Sequence, residues 1–387
     1  MTEAAPRRKA PGPGLAARLA MQPWFHRFCA RMPGLRRIAK GEGEALFEIV
    51  SGFVRSQALL ALVELRVLHR LAERGADTAT LAQGCAMTPE RMAILLQAGA
   101  ALKLIRRRGD LWRLTPRGAA FLTVPGLAAM VQHHPVLYHD LSDPVAFFRG
   151  ETQPELAGFW PYVFGAGGAE DPELAARYSA LMADSQGLVA EDTLRLVDFR
   201  GITQLMDVGG GTGAFLAAVG RAHPKIALTL FDLPAVVAGA EARLTSTGLT
   251  STGLASADLA SADLAGRVTI WPGSFRDDPL PQGADAISLI RVLYDHADET
   301  VAALLASVLA ALPRGGRLII SEPMSGGLRP DPATDVYFAI YTLAMQTGRS
   351  RSAAEIAEMC RIAGFQAIKT HPGHRPYVTS AVTAQRD

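Results

Sequence analysis

Along this chain the spacing of apolar residues changes character once, near residue 203. Before that point they recur at helical intervals, most plainly between Leu46 and Leu122 in "ALLALVELRVLHRLAE". The stretch "TATLAQGCAMTPERMAILLQAGAALKLI" reads as helix, turn, helix, with Thr88 as N-cap and Pro89 as the first helical residue. "KLIRRRGDLWRLTPRGAAFL" then predicts strand, Gly-Asp turn, strand and helix. Residues 46–125 thus form a winged-helix pattern. Residues 126–200 stay helical and mixed in polarity, with aromatic and His clusters ("VQHHPVLYHD", "VAFFRGET", "GFWPYVFG") that suit an apolar substrate wall. From Thr203 onward short apolar runs alternate with helical segments: "QLMDV", "ALTLF", "RVTIW", "DAISLI", "GRLII". That alternation predicts an α/β domain with a doubly wound parallel sheet over 201–387. The closing runs "FQAIKT" and "YVTSAVT" predict an antiparallel strand inserted at the sheet edge.

Two segments fall outside these patterns. Residues 1–45 are rich in Arg, Lys, Pro and Gly around the apolar "MQPWFHRF", which reads as a partly disordered basic tail, the sharper reading being a tail that makes a peripheral contact with an anionic membrane surface. Residues 245–264 repeat as "TSTGL TSTGL ASADL ASADL", a surface insertion between two strands that carries no chemistry.

Composition narrows the function classes. Lys and Arg number 39 against 37 Asp and Glu, so the chain as a whole is no polyanion binder. Cys29, Cys85 and Cys360 lie far apart with no paired spacing, which argues against a disulfide framework or zinc site and fits a reducing cytoplasm. His133, His134 and His139 lack acidic partners at ligand spacing apart from Asp140, so no metal is expected. The apolar run "VAALLASVLAAL" is too short to span a bilayer.

Candidate chemistry begins at "LMDVGGGTGAFL", a strand running through glycines into a helix. Gly209 and Gly211 lack side chains where a ligand would approach the backbone closely. Asp232 ends the next strand in "LTLFDLP", where an acid can accept hydrogen bonds from a ribose diol. The loop has no Lys-Ser/Thr for phosphates, and Asp207 just ahead of it would repel a pyrophosphate but suit a cationic ligand. The second candidate is "LIRVLYDHADE", where a buried strand delivers Tyr294, Asp295 and His296 together.

These stretches, with "GSFRDDPLPQGADAISLI" and "LIISEP", resemble the successive motifs of the S-adenosylmethionine-dependent O-methyltransferases of the plant caffeate-type and bacterial small-molecule family. The resemblance covers about 45–387. It implies a Rossmann-like seven-stranded methyltransferase sheet, S-adenosylmethionine as cofactor, and a homodimer held by the winged-helix domain in place of nucleic-acid binding. By the same resemblance Gly209 and Gly211 lie under the methionine and ribose, Asp232 holds the ribose hydroxyls and Leu233 packs on adenine. Ser274 stands where the family has an acid, Phe275 stacks on the base, and the Arg291 backbone lies near the cofactor.

Within the family, the segment typically reads "RVLHDWDDE" with His as general base. Here Tyr294 takes the base position and His296 falls at the Trp. A Tyr is a poor base at neutral pH. Tyr294 is therefore expected to orient a hydroxyl, Asp295 to cap the following turn, and His296 to serve as base only if the turn rotates it inward. Glu322 resembles the family's flanking acid and is expected to accept the departing proton, while a second such acid is replaced by Ser350. The basic tail and "FFRGETQPELAGFWPYVFGA" are most similar to the hydroxyneurosporene (demethylspheroidene) branch of purple phototrophic bacteria. That implies a hydrophobic hydroxylated carotenoid as substrate and a cytoplasmic location beside the photosynthetic membrane. Open alternatives are a phenolic, polyketide or bacteriochlorophyll-pathway methyltransferase, and a winged-helix regulator that senses S-adenosylmethionine.

Overall fold

The computed structural model describes residues 12–159, 185–237, 240, 264 and 266–387, so the repeats over 245–263 and the aromatic stretch past residue 159 lie outside the described residues. The chain divides into two units, Met1–Thr115 and Pro116–Asp387.

The first unit is built mainly from helices. Thr88 caps the helix Pro89–Ala101 by accepting the Arg91 N–H, and Asp77 caps Thr78–Gly84 through the Thr80 N–H at 2.7 Å. Strands β1 (Ile105–Arg108) and β2 (Leu111–Leu114) form an antiparallel hairpin that turns at Gly109. Trp112 is buried in this unit with Leu62, Leu68, Met92 and Leu96, and its indole N–H finds Thr78 Oγ1 at 3.0 Å. Of the basic segment, expected to be a partly disordered tail, residues 1–11 lie outside the described residues, and from Leu15 it is helical in three pieces: Leu15–Ala20, Pro23–Arg31 and Pro33–Val50. Pro23 and Pro33 each occupy a first turn, where a missing N–H costs nothing and the fixed φ favours the helix.

The second unit holds a seven-stranded sheet: β3 (Gln204–Val208), β4 (Ala227–Asp232), β5 (Val268–Pro272), β6 (Ala286–Ile290), β7 (Arg317–Glu322), β8 (Gln366–His371) and β9 (Ser380–Gln385). Its spatial order is β5-β4-β3-β6-β7-β9-β8. The first five pair in parallel, and β9 runs antiparallel between β7 and the edge strand β8. Alternation along each strand sends side chains to opposite apolar layers. Met206, Ile287, Leu289 and Ile320 meet the helices Asp298–Ala311 and Ala353–Ala363, while Leu205, Leu228 and Leu230 meet Ala214–Ala222. The order reverses between β3 and β6, so their carboxyl ends open a crevice at a topological switch point. Val208, Asp232, Ile290 and Glu322 all stand at that edge.

Candidate active site

The glycine turn leaves β3 with Gly209, Gly211 and Gly213 in left-handed backbone at φ 70°, 60° and 74°. Gly210 is pressed from below: a Cβ there would lie 2.5 Å from Asp207 Oδ2 and 2.6 Å from Leu230. A Cβ on Gly211 would instead meet nothing within 4 Å, which leaves open space over the turn. The turn is tied to β4 by Asp232, whose Oδ2 accepts the Gly211 N–H and whose Oδ1 accepts the Leu233 N–H, both at 2.7 Å. Each oxygen keeps a second acceptor position. Beneath the turn Asp207 is fully buried; its Oδ1 accepts from Ser288 at 2.6 Å and its Oδ2 has no hydrogen-bond partner. Burial lifts its pKa to about 7, aided by the nearby Asp232 carboxylate.

The segment after β6 begins with strain. Arg291 is a non-glycine residue at φ 59°. Its guanidinium donates to Tyr294 Oη at 3.1 Å and to Ser185 Oγ at 2.8 Å. Leu293–Asp295 then form a single tight turn that is held from below by Glu322. Glu322 Oε2 accepts the N–H groups of Leu293 at 3.0 Å and Tyr294 at 3.4 Å, while Oε1 is buried without a partner. Burial raises Glu322 to about 7, against the pull of Arg351 and the two N–H groups. Burial also pushes the Tyr294 hydroxyl above its ordinary value, so it stays neutral.

Tyr294 faces a cavity of about 460 Å³ lined chiefly by apolar and aromatic side chains, among them Leu127, Met130, Leu188, Tyr337, Phe338 and Tyr341. Two histidines from the helix Leu127–Asp140 organise this wall. His133 bonds Tyr341 Oη at 2.9 Å and His134 bonds Tyr337 Oη at 3.0 Å, and the two tyrosine rings stack. Tyr337 belongs to a π-helical turn, Pro332–Phe338, of a kind that gathers at functional sites.

Comparison with known proteins decides what this crevice and cavity serve. Residues 138–366 match the O-methyltransferase domain model and residues 47–124 the O-methyltransferase dimerisation domain. Demethylspheroidene O-methyltransferase of Cereibacter sphaeroides is 62% identical over 96% of this chain and 94% of its own. Acetylserotonin O-methyltransferase of Mus musculus is 30% identical over 86% of each chain. Human N-acetylserotonin methyltransferase, solved in complex with S-adenosylmethionine, superposes with a TM-score of 0.69 at 22% identity, over 89% of this chain and 97% of that one. The chain belongs to the S-adenosylmethionine-dependent O-methyltransferases.

In this methyltransferase the open face of Gly211 and the free acceptor positions of Asp232 fit a nucleoside that carries a ribose. Leu233 stands half-buried beside Asp232. Ser274 is already engaged, donating to Asp277 Oδ2 at 2.9 Å, and Phe275 packs edge-on against His296. The geometry sets His296, Asp295 and Glu322 apart from the roles expected of them. His296 is buried, receives Arg276 Nη2 on Nδ1 at 3.0 Å, and is not among the residues lining the cavity; burial and the neighbouring arginines hold it down to about 4. Asp295 caps nothing: the helix Asp298–Ala311 starts from Ala297, and Asp295 Oδ1 has no partner. Glu322 also does not line the cavity and acts on the backbone of the turn. Sequence reading missed Arg351, which is wholly buried and donates to the carbonyls of Leu293 and His296 and to Asp298. Gly348 packs so closely on the same turn that a Cβ would lie 2.3 Å from His296 N.

Proposed function

We propose that this methyltransferase acts on the tertiary hydroxyl of an acyclic carotenoid, the class named by its demethylspheroidene relatives, and meets it in the cytoplasm at the membrane face. One observation carries the reading. The polar group that the turn presents to an aromatic, apolar cavity is the neutral Tyr294; the His296 imidazole does not line that cavity, and the His133 imidazole that does is bonded to Tyr341. A phenol acceptor gains from a base that ionises it, whereas a tertiary alcohol is too weak an acid for imidazole to help.

Bound over the glycine turn, S-adenosylmethionine supplies a sulfonium methyl to an attacking oxygen. Tyr294 Oη receives Arg291 Nε–H, which leaves the tyrosine O–H to hold the substrate oxygen while a lone pair on that oxygen stays free. The stacked Tyr337 and Tyr341 rings give the hydrocarbon an aromatic wall to lie against. Such positioning is worth roughly 7–11 kcal/mol of barrier. As the new C–O bond forms the C–S bond would break to leave S-adenosylhomocysteine, and the alkylated oxygen, now strongly acidic, would pass its proton to water at the cavity mouth without a dedicated base.

The test is incubation with methyl-labelled cofactor and, separately, an acyclic carotenoid bearing a tertiary hydroxyl and a simple phenol. A labelled carotenoid methyl ether is the expected product. Label appearing in the phenol alone would reject the reading.

A further inference from the structure

Ahead of the dimerisation domain lies a surface that neither catalysis nor the cavity uses. Between Leu15 and Lys40 the chain carries Arg18, Arg27, Arg31, Arg36, Arg37 and Lys40, all exposed, and no Asp or Glu. The same stretch exposes Leu15, Met21, Trp24, Phe28, Met32 and Ile38, with Met21 at 70% and Trp24 at 52%. The inner sides are already satisfied: Cys29 is buried, and Leu19, Phe25 and Leu35 are half-buried. On the helix Pro23–Arg31, Trp24 and Phe28 share a face, and each has an arginine three residues on, Arg27 and Arg31. Aromatic rings flanked by cations of one sign are the surface that sits at the headgroup level of an anionic bilayer.

We infer that the helices Leu15–Ala20 and Pro23–Arg31, with the first turns of Pro33–Val50, form a docking surface for an anionic lipid membrane. Trp24 and Phe28 enter the headgroup boundary while Arg27, Arg31, Arg36 and Arg37 meet lipid phosphates. At 6 and 9 residues the first two helices are too short to span, so they lie along the surface. A second copy of the chain is the poorer occupant, because a two-fold contact would set these cations against themselves. A nucleic acid would neutralise the arginines but leave the apolar side chains in water. The inference does not depend on which alcohol is methylated.

The full-length enzyme is floated with vesicles of phosphatidylcholine alone and of phosphatidylcholine mixed with phosphatidylglycerol. It should bind only the mixed vesicles, and less as salt rises. Arg27→Gln with Arg31→Gln should weaken binding by roughly fivefold for each cation lost. Trp24→Ser with Phe28→Ser should weaken it at every salt concentration. All four positions are exposed, and turnover of a detergent-dispersed acceptor should be unchanged in both double variants. Equal binding to neutral vesicles, or no vesicle binding at all, would overturn the inference. So would dissociation of the dimer by these substitutions, or retention of an unlabelled DNA duplex in place of vesicles.

Discussion

Glu322 grips the backbone of Tyr294, not its ring: the Tyr294 N–H reaches Glu322 Oε2 at 3.4 Å while the hydroxyl is engaged by Arg291. The carboxylate therefore sets where the tyrosine stands, and the tyrosine sets where the substrate oxygen stands. Glutamine keeps an acceptor oxygen, so Glu322→Gln should lower single-turnover methyl transfer by about tenfold or less, the scale of one or two hydrogen bonds. A fall of roughly 10²–10⁴-fold would instead make Glu322 the proton acceptor.

Tyr294→Phe removes one orienting hydrogen bond and should slow methyl transfer by about a few-fold to tenfold. His296→Ala should leave the rate at saturating cofactor nearly intact and lower the melting temperature, because that ring is packed against Phe275 and bonded to Arg276. Loss of turnover in His296→Ala alongside a near-normal Tyr294→Phe would reverse the two roles.

Asp232→Ala strips the acceptor from Gly211 and Leu233 and from any ribose above the turn. Hydrogen bonds to a charged acceptor are worth roughly 1.5–3 kcal/mol each. Cofactor affinity by calorimetry should fall about ten- to a hundredfold. Unchanged affinity would remove Asp232 from the cofactor site.

Stability should depend on pH through Glu322. Its folded pKa, about 7, lies above the ordinary carboxylate value, so the folded state holds a proton that the unfolded chain has released. Stability from this group is full below the ordinary range and is lost as pH rises toward about 7. Asp207 acts in the same direction, whereas the depressed His296 acts in the opposite sense between about 4 and its ordinary value. The melting temperature of wild type minus that of Glu322→Gln isolates the carboxyl, and it should fall as pH rises across that window. A flat difference would place Glu322 in a more polar setting than the structure gives it.

Arg351→Ala would leave the carbonyls of Leu293 and His296 without their donor and expose Asp298 to a lost partner. Asp298 is half exposed and keeps Arg349, so the cost falls chiefly on the buried carbonyls, roughly 1–3 kcal/mol for each left without a donor. Thermal unfolding should show a loss of that order, with Arg351→Lys intermediate because one ammonium cannot reach all three acceptors.

The dimerisation domain exposes Phe47, Ile49, Val50, Phe53 and Val54, each more than half accessible. A chain beginning at Pro116 should be monomeric by light scattering, since it keeps the second unit whole. A cut at residue 125 would remove Val124 and Pro125 from the cavity wall. A stable dimer of the shortened chain would assign pairing to the second unit.

What the sequence made legible was local. β6 and β7 are nearly unbroken apolar runs because both faces are covered, and the glycine turn is legible because its φ values exclude side chains. The N-terminal helices were readable in principle from Pro23 and Pro33, but the density of Arg and Pro masked them. The Arg351 clamp, the His134–Tyr337 bond and the brace from Glu322 join residues that lie far apart along the chain. No spacing announces such contacts. The role of Asp295 went astray because its place before a helix imitates a cap, while the chain enters the helix two residues later.

At Arg291 the molecule wants two different residues. The left-handed backbone there would be relaxed by glycine, and strain of this kind costs roughly 1–3 kcal/mol. The buried Asp295 and Glu322 both feel the Arg291 charge, and Tyr294 and Ser185 both take its hydrogen bonds. Glycine would ease the chain and abandon the carboxylates; arginine serves the side chains and leaves the backbone in conflict. That local frustration sits at the point where β6 passes into the turn that carries Tyr294.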